Sequence, residues 1–112
     1  MTRILFVCGK ARKRSPTAAQ VAADRLGLET DFAGLSADAD ERLTAEHLAD
    51  ADVIAVMEKA QAARLRRQAG PALAGKRVVC LDIPDRYDFM QPELVDLVLQ
   101  RLGRIVPGGR AG

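Results

Sequence analysis

Apolar positions along this chain follow two rhythms that alternate with one another. RILFVC at residues 3–8, DVIAVM at 52–57 and RVVCL at 77–81 are short continuous apolar runs, the pattern of strands buried on both faces. TDFAG at 30–34 reads as a further, shorter strand. Between these runs the spacing becomes helical. After Ser15-Pro16, the stretch AAQVAADRLG places Ala18, Val21, Ala22 and Leu26 on one face before Gly27, with Ser15 as the expected cap and Pro16 in the first turn. The polar stretch SADADER leads into a helix over Thr44–Ala49, and KAQAARLRRQA at 59–69 is helical by propensity, ending at Gly70-Pro71. DIPDRYDFMQ at 82–91 reads as a loop, and Pro92 opens a last helix through ELVDLVLQRL.

Four buried strands alternating with helices predict an α/β domain in three layers, a four-stranded parallel sheet of order 2-1-3-4 with helices on both faces. The domain is expected over residues 1–106, with 107–112 as a frayed tail. Such sheets bind ligands outside the carboxyl ends of their strands, where the strand order reverses. That point lies beside the first strand, which ends at Cys8.

Composition narrows the function classes. The N-terminal apolar run is too short for a signal peptide and is followed by further basic charge. No run approaches the roughly 20 apolar residues of a membrane span. The expectation is a cytoplasmic protein with no membrane partner, in which Cys8 and Cys80 are free thiols. One histidine and two distant cysteines do not supply a metal cluster, so neither metal nor cofactor is expected. His47 and the ARLRRQ run read as a structural residue and a solvated helix face, and Cys80, inside an apolar strand, as core packing. The net charge of +2 says little about partners, whereas Lys10, Arg12, Lys13 and Arg14 are clustered just after Cys8.

A loop between a strand end and a helix start presents backbone N–H groups and the positive end of the helix dipole, which together attract anions. The same field favours a sulfur anion, making Cys8 a candidate nucleophile. Arg14, six residues on, can grip phosphate oxygens as a bidentate fork, and the Ser15 hydroxyl can hydrogen-bond the thiolate. A nucleotide P-loop is excluded, since GKARKRSP lacks the second Gly and the Gly-Lys-Ser/Thr ending.

Cys8-GKARK-Arg14-Ser15-Pro16 after an apolar strand resembles the C-x5-R-S-P loop of the low-molecular-weight protein tyrosine phosphatases. AGLS at 33–36 and DVIAVMEK at 52–59 are similar to further stretches of that family, and the short chain resembles a compact bacterial branch of it. The resemblance implies phosphoester hydrolysis through a phosphocysteine on Cys8, with phosphate held by Gly9, Lys10, Ala11, Arg12, Lys13, Arg14 and Ser15. It implies a general acid at Asp82, by ungapped alignment from Lys76, or at Asp85, by likeness of Asp85-Arg86-Tyr87 to the family's Asp-Pro-Tyr. Tyr87 either lines the substrate slot or covers a core edge. The substrate would be a phosphorylated protein or small molecule.

Two departures widen these expectations. Ala11 stands where the family has Asn in a strained conformation, which leaves open a module that binds phosphate without turnover. The basic entrance favours a more anionic substrate, such as an acidic phosphopeptide, a nucleotide or an RNA end, and admits cyclic phosphodiesters. Its cations also have a simpler reading, pointing into solvent. A phosphocysteine carrier of the sugar phosphotransferase type is a further alternative, against which Arg14 counts. Arsenate reduction is weakened because Cys80 is its only candidate partner thiol. The oligomeric state is left open.

Overall fold

The apolar runs become strands at the expected places. In the computed structural model, which describes residues 2–105, β1 spans Arg3–Cys8, β2 Glu29–Gly34, β3 Val53–Val56 and β4 Arg77–Cys80. They form one sheet of order β2-β1-β3-β4, with every neighbouring pair parallel. Helices α1 (Arg14–Leu26), α2 (Ala45–Asp50) and α3 (Lys59–Ala69) make the crossovers, and α4 (Pro92–Leu102) follows β4. The expected tail, residues 107–112, lies outside the described residues.

Central β1 explains why its run is continuously apolar. Ile4, Phe6 and Cys8 face a core shared with Ala18, Val21 and Ala22 of α1 and with Leu94, Val98 and Leu102 of α4. Leu5 and Val7 face the opposite core, with Leu48 of α2 and Leu65 of α3. Successive side chains point to opposite faces of a strand, so a strand covered on both sides has no polar positions to spare.

Helix boundaries follow local chemistry with one correction. Gly27, at φ 65°, ends α1, and the amides of Gly27 and Leu28 return to Ala23 O and Ala22 O, the left-handed closure that glycine permits. The start of α1 departs from expectation. Lys13 occupies the cap position without a side-chain bond, while Ser15 lies inside the first turn, fully buried. Its hydroxyl is directed at Cys8 Sγ, 3.1 Å away, so it does not cap the helix. His47 has a structural setting: its amide donates to Thr44 Oγ1 at 3.3 Å, and its Nδ1 accepts from Thr44 N–H at 2.9 Å. Helix α3 buries Ala62 and Leu65 and exposes Arg66 and Arg67, the solvated face that its sequence suggests.

Register gathers the ends of three strands. Val7 pairs with Val56 and Val56 with Cys80, so the segments after Cys8, Val56 and Cys80 leave the sheet at one edge. The chain after β2 then folds over this edge, its amides at Leu35, Ser36 and Asp40 donating to the carbonyls of Cys8, Gly9 and Lys10. Among the described residues, no helix is long and apolar enough to cross a membrane.

Candidate active site

The loop from Cys8 to Arg14 curls around the sulfur of Cys8. Ala11 has φ 58°, and this left-handed turn aims its N–H at Cys8 Sγ, 3.2 Å away. A left-handed alanine costs about 1–2 kcal/mol. The bonds from Ser36 and Asp40 to Gly9 O and Lys10 O, each 2.9 Å, hold the preceding residues in place and offset that strain. The residue type that raised doubt about the loop therefore adopts the required conformation, supported from outside the loop. Ser15 Oγ meets the sulfur from the other side.

Arg14 is the first residue of α1 and only 5 % exposed. Its Nη1 donates to Glu58 Oε2 at 2.5 Å and to Ile83 O at 2.8 Å, while its Nε lies 3.8 Å from Asp85 Oδ1. The guanidinium is thus gripped by segments that follow β3 and β4. Cys8, Gly9, Lys10, Arg12, Lys13, Arg14, Ser36 and Asp85 line a cleft of about 380 Å³. A groove of about 460 Å³ beside Pro16, Ala19, Phe32 and Phe89 includes no thiol and no cation, whereas the Cys8 cleft holds both.

The two candidate acids fall in different surroundings. Asp85 lines the cleft beside Arg14. Asp82 does not: held at φ 53°, it accepts from Cys80 Sγ at 3.4 Å. Tyr87 also lies outside the cleft-lining set. It packs against the core beneath α1 and α4, with the Arg86 guanidinium 5.6 Å from its ring centre.

The basic entrance is neutralised in place. Lys10 pairs with Asp38 and Arg12 with Asp40, each at 3.0 Å, and Lys13 lies 3.6 Å from Asp88. Hydrogen bonding and charge from Lys10 hold the Asp38 carboxyl below its ordinary range, and the same contacts from Asp40 raise Arg12. These pairs tie the loop to the segments on both sides of the cleft.

Cys80 is only partly buried, and its burial raises its thiol above the usual value. It packs on the core opposite to that of Cys8. With β3 between their strands, about 10 Å separates the two backbones, beyond the roughly 7 Å that a disulfide spans. Both thiols are free. Among the described residues, no three His, Cys, Asp or Glu side chains converge on a metal position.

Several site residues carry no signal of their own in the sequence. Gly34 and Ser36 stand in AGLS, and Glu58 follows Met57, inside stretches that resembled the family without an assigned role. Asp38, Asp40 and Asp88 look like ordinary loop acids until the fold brings them to the cations.

Strand order and the loop at the first strand end define a class, the parallel α/β domains with a cleft at the switch point of the sheet. Solved structures narrow this to one fold. Wzb of Vibrio vulnificus, in complex with benzylphosphonate, superposes with a TM-score of 0.76 at 22 % identity, over 93 % of this chain and 96 % of that one. The low-molecular-weight protein tyrosine phosphatase of Streptococcus pyogenes gives 0.74 at 14 % identity, over 95 % and 94 %. The arginine phosphatase YwlE of Geobacillus stearothermophilus gives 0.69 at 21 %, over 94 % and 92 %. The chain therefore has the low-molecular-weight protein tyrosine phosphatase fold. No family model and no curated protein matches its sequence.

Proposed function

We propose that the protein is a cysteine-dependent phosphomonoester hydrolase working through a phosphocysteine. The observation that carries this reading is the convergence of the Ala11 amide, the Ser15 hydroxyl and the anchored Arg14 around Cys8 at the floor of one cleft. In the first step Cys8 Sγ attacks phosphorus in line as the bond to the leaving oxygen breaks, and Asp85 gives that oxygen its proton. In the second, the same carboxylate takes a proton from water as the water oxygen attacks the phosphocysteine, releasing phosphate and the thiolate. Arg14 and the loop amides balance the charge on the equatorial oxygens throughout. Asp85 is preferred to Asp82 as the acid because it borders the cleft, whereas the Asp82 carboxylate is engaged with Cys80.

The proposed substrate is a phosphorylated protein side chain, a class suggested by a tyrosine and an arginine phosphatase among the structural neighbours. The pairing of Lys10, Arg12 and Lys13 with aspartates favours a compact monoester over an extended polyanion such as an RNA end. Ala11, which motivated a binding-only module, is already in the left-handed conformation, so it lends that alternative no support. Free thiols suit a cytoplasmic setting.

Exposed ion pairs are screened by solvent and contribute little. Lys10→Ala and Arg12→Ala should therefore change kcat/KM for a small aryl phosphate by no more than about fivefold. A loss of a hundredfold in steady-state assays would mean that these side chains hold the substrate themselves.

The test of the proposal is hydrolysis of p-nitrophenyl phosphate at roughly pH 5 to 8, spanning the range in which such acid–base pairs operate, with acid-quenched samples digested and examined by mass spectrometry. Turnover accompanied by a phosphoryl group on the Cys8 peptide is the expected result. Phosphate transferred from Cys8 to a second protein without release would instead mark a carrier.

A further inference from the structure

Three polar side chains are buried among the described residues, Arg14, Ser15 and Thr17, and all belong to the first turn of α1. Arg14 borders the cleft and Ser15 bonds to the Cys8 sulfur, whereas Thr17 does neither. Its Oγ1 accepts from the backbone N–H of Met90 at 2.9 Å, 73 residues away in the chain. Met90 stands at φ 59°, a left-handed conformation that a residue with a Cβ adopts only when its surroundings impose it. The same turn of helix grips the other end of this segment, since Arg14 Nη1 donates to Ile83 O at 2.8 Å. Residues 14 and 17 lie three apart and so on one face of α1. The loop that carries Asp85 is therefore staked at Ile83 and at Met90 to a single helical turn. Between the stakes Lys13 lies 3.6 Å from Asp88. The turn over residues 88–91 is itself closed, by Asp88 N–H on Gln91 Oε1 at 2.9 Å and Gln91 N–H on Asp88 O at 3.0 Å.

We propose that Thr17 is a positioning residue for the general acid: its hydroxyl fixes the Met90 end of the loop and thereby keeps Asp85 at the cleft beside Arg14. The inference rests on the reading of Asp85 as the acid that protonates the leaving oxygen. A proton donor works only within hydrogen-bond reach of the atom it protonates. The Asp85 side chain is 65 % exposed and lies 3.8 Å from Arg14 Nε, so its place depends on the backbone beneath it. A hydroxyl that did no more than satisfy a backbone amide makes a different forecast. Its loss would weaken the fold and lower the active fraction for every substrate alike. Loss of positioning instead falls on the step that needs the proton. It grows with the basicity of the leaving oxygen and nearly vanishes for a group that departs as a stable anion.

The experiment measures kcat/KM for dinitrophenyl, p-nitrophenyl and phenyl phosphate in the wild type, Thr17→Val, Thr17→Ser and Asp85→Asn, together with hydrogen exchange at the Met90 amide. Val copies the shape of Thr without the acceptor, and Ser keeps the acceptor. Thr17→Val should lower kcat/KM for phenyl phosphate by about 10- to 100-fold and for dinitrophenyl phosphate by less than about threefold, a fraction of what a well-placed acid supplies. It should also speed exchange at Met90. The ratio between substrates comes from one preparation and is independent of the fraction that folds; Thr17→Ala removes the same acceptor should Val pack poorly. Thr17→Ser should keep the wild-type ratio. Added to Asp85→Asn, Thr17→Val should cost less than about twofold more, because the acid it positions is gone. An equal loss on all three esters, or Met90 exchange unchanged in Thr17→Val, overturns the inference and leaves the hydrolase reading intact. Absence of Cys8-dependent turnover in the wild type, or a substrate ratio unchanged in Asp85→Asn, sinks the reading beneath the inference and the inference with it.

Discussion

Cys8→Ser should lower kcat for p-nitrophenyl phosphate by at least about 10⁴-fold, equivalent to roughly 5.5 kcal/mol of barrier at about 1.36 kcal/mol per decade. The substitution removes one property and keeps the rest of the site. A serine hydroxyl is a much weaker nucleophile at neutral pH than a cysteine sulfur. An Oγ can still accept from the Ala11 N–H that now reaches Sγ at 3.2 Å, and Arg14 keeps its bonds to Glu58 and Ile83. The variant should therefore fold like the wild type and still bind inorganic phosphate. Steady-state kinetics and titration calorimetry on the same preparation check both halves. Turnover within tenfold of the wild type would exclude Cys8 as the nucleophile, and loss of phosphate binding together with turnover would show that the substitution had damaged the loop.

Gly34→Ala should be the most damaging substitution that touches no reacting group. A Cβ built on Gly34 would sit 2.5 Å from Ala39 Cβ, 2.6 Å from Gly9 O and 3.0 Å from Lys10 C. The last two are backbone atoms of the Cys8 loop, which no rotamer change can move aside. To admit the methyl, the loop must part from the segment after β2, breaking contacts such as Ser36 N–H to Gly9 O and Asp40 N–H to Lys10 O. Those bonds offset the strain at Ala11. Overpacking of this kind costs about 2–3 kcal/mol, and displacement of the loop should lower kcat/KM on the order of 100-fold. Gly70→Ala is the control, since nothing lies within 4 Å of its added Cβ. Urea unfolding and steady-state kinetics should separate the two variants clearly; Gly34→Ala behaving like Gly70→Ala would mean that the loop tolerates far more movement than its hydrogen bonds suggest.

Both predictions depend on one arrangement, in which the loop around a strand-end thiol is shaped by segments distant in the chain. Glu58 and Ile83 reach Arg14 from 44 and 69 residues away, and Asp38 and Asp40 reach the loop cations from 28. The ion pairs also revise the picture of the entrance. Four clustered cations in a sequence suggest a field that seeks a polyanion. In the folded protein Lys10, Arg12 and Lys13 each meet an aspartate, so the local field is far weaker than the cluster implies.

The strands, their alternation with helices and the place of the Cys8 loop were legible along the chain. Burial on both faces forces continuous apolar runs, and helix ends need particular residues such as Gly27; both are local constraints. The spacing of Cys8, Arg14 and Ser15 is equally local, since one loop and one helical turn bring them together. Other features had no local mark. Ser15 reads as a cap by its neighbours, yet the fold turns its hydroxyl to the sulfur. Asp82 and Asp85 are equivalent as letters, and they separate only because the chain after β4 takes a left-handed step at Asp82 and then passes the cleft at Asp85. The roles of Gly34 and Glu58 arise from close approach between β2, β3 and the loop. Such contacts follow from the packing of strands around β1, and no periodicity within a single segment records which distant atom will lie against it.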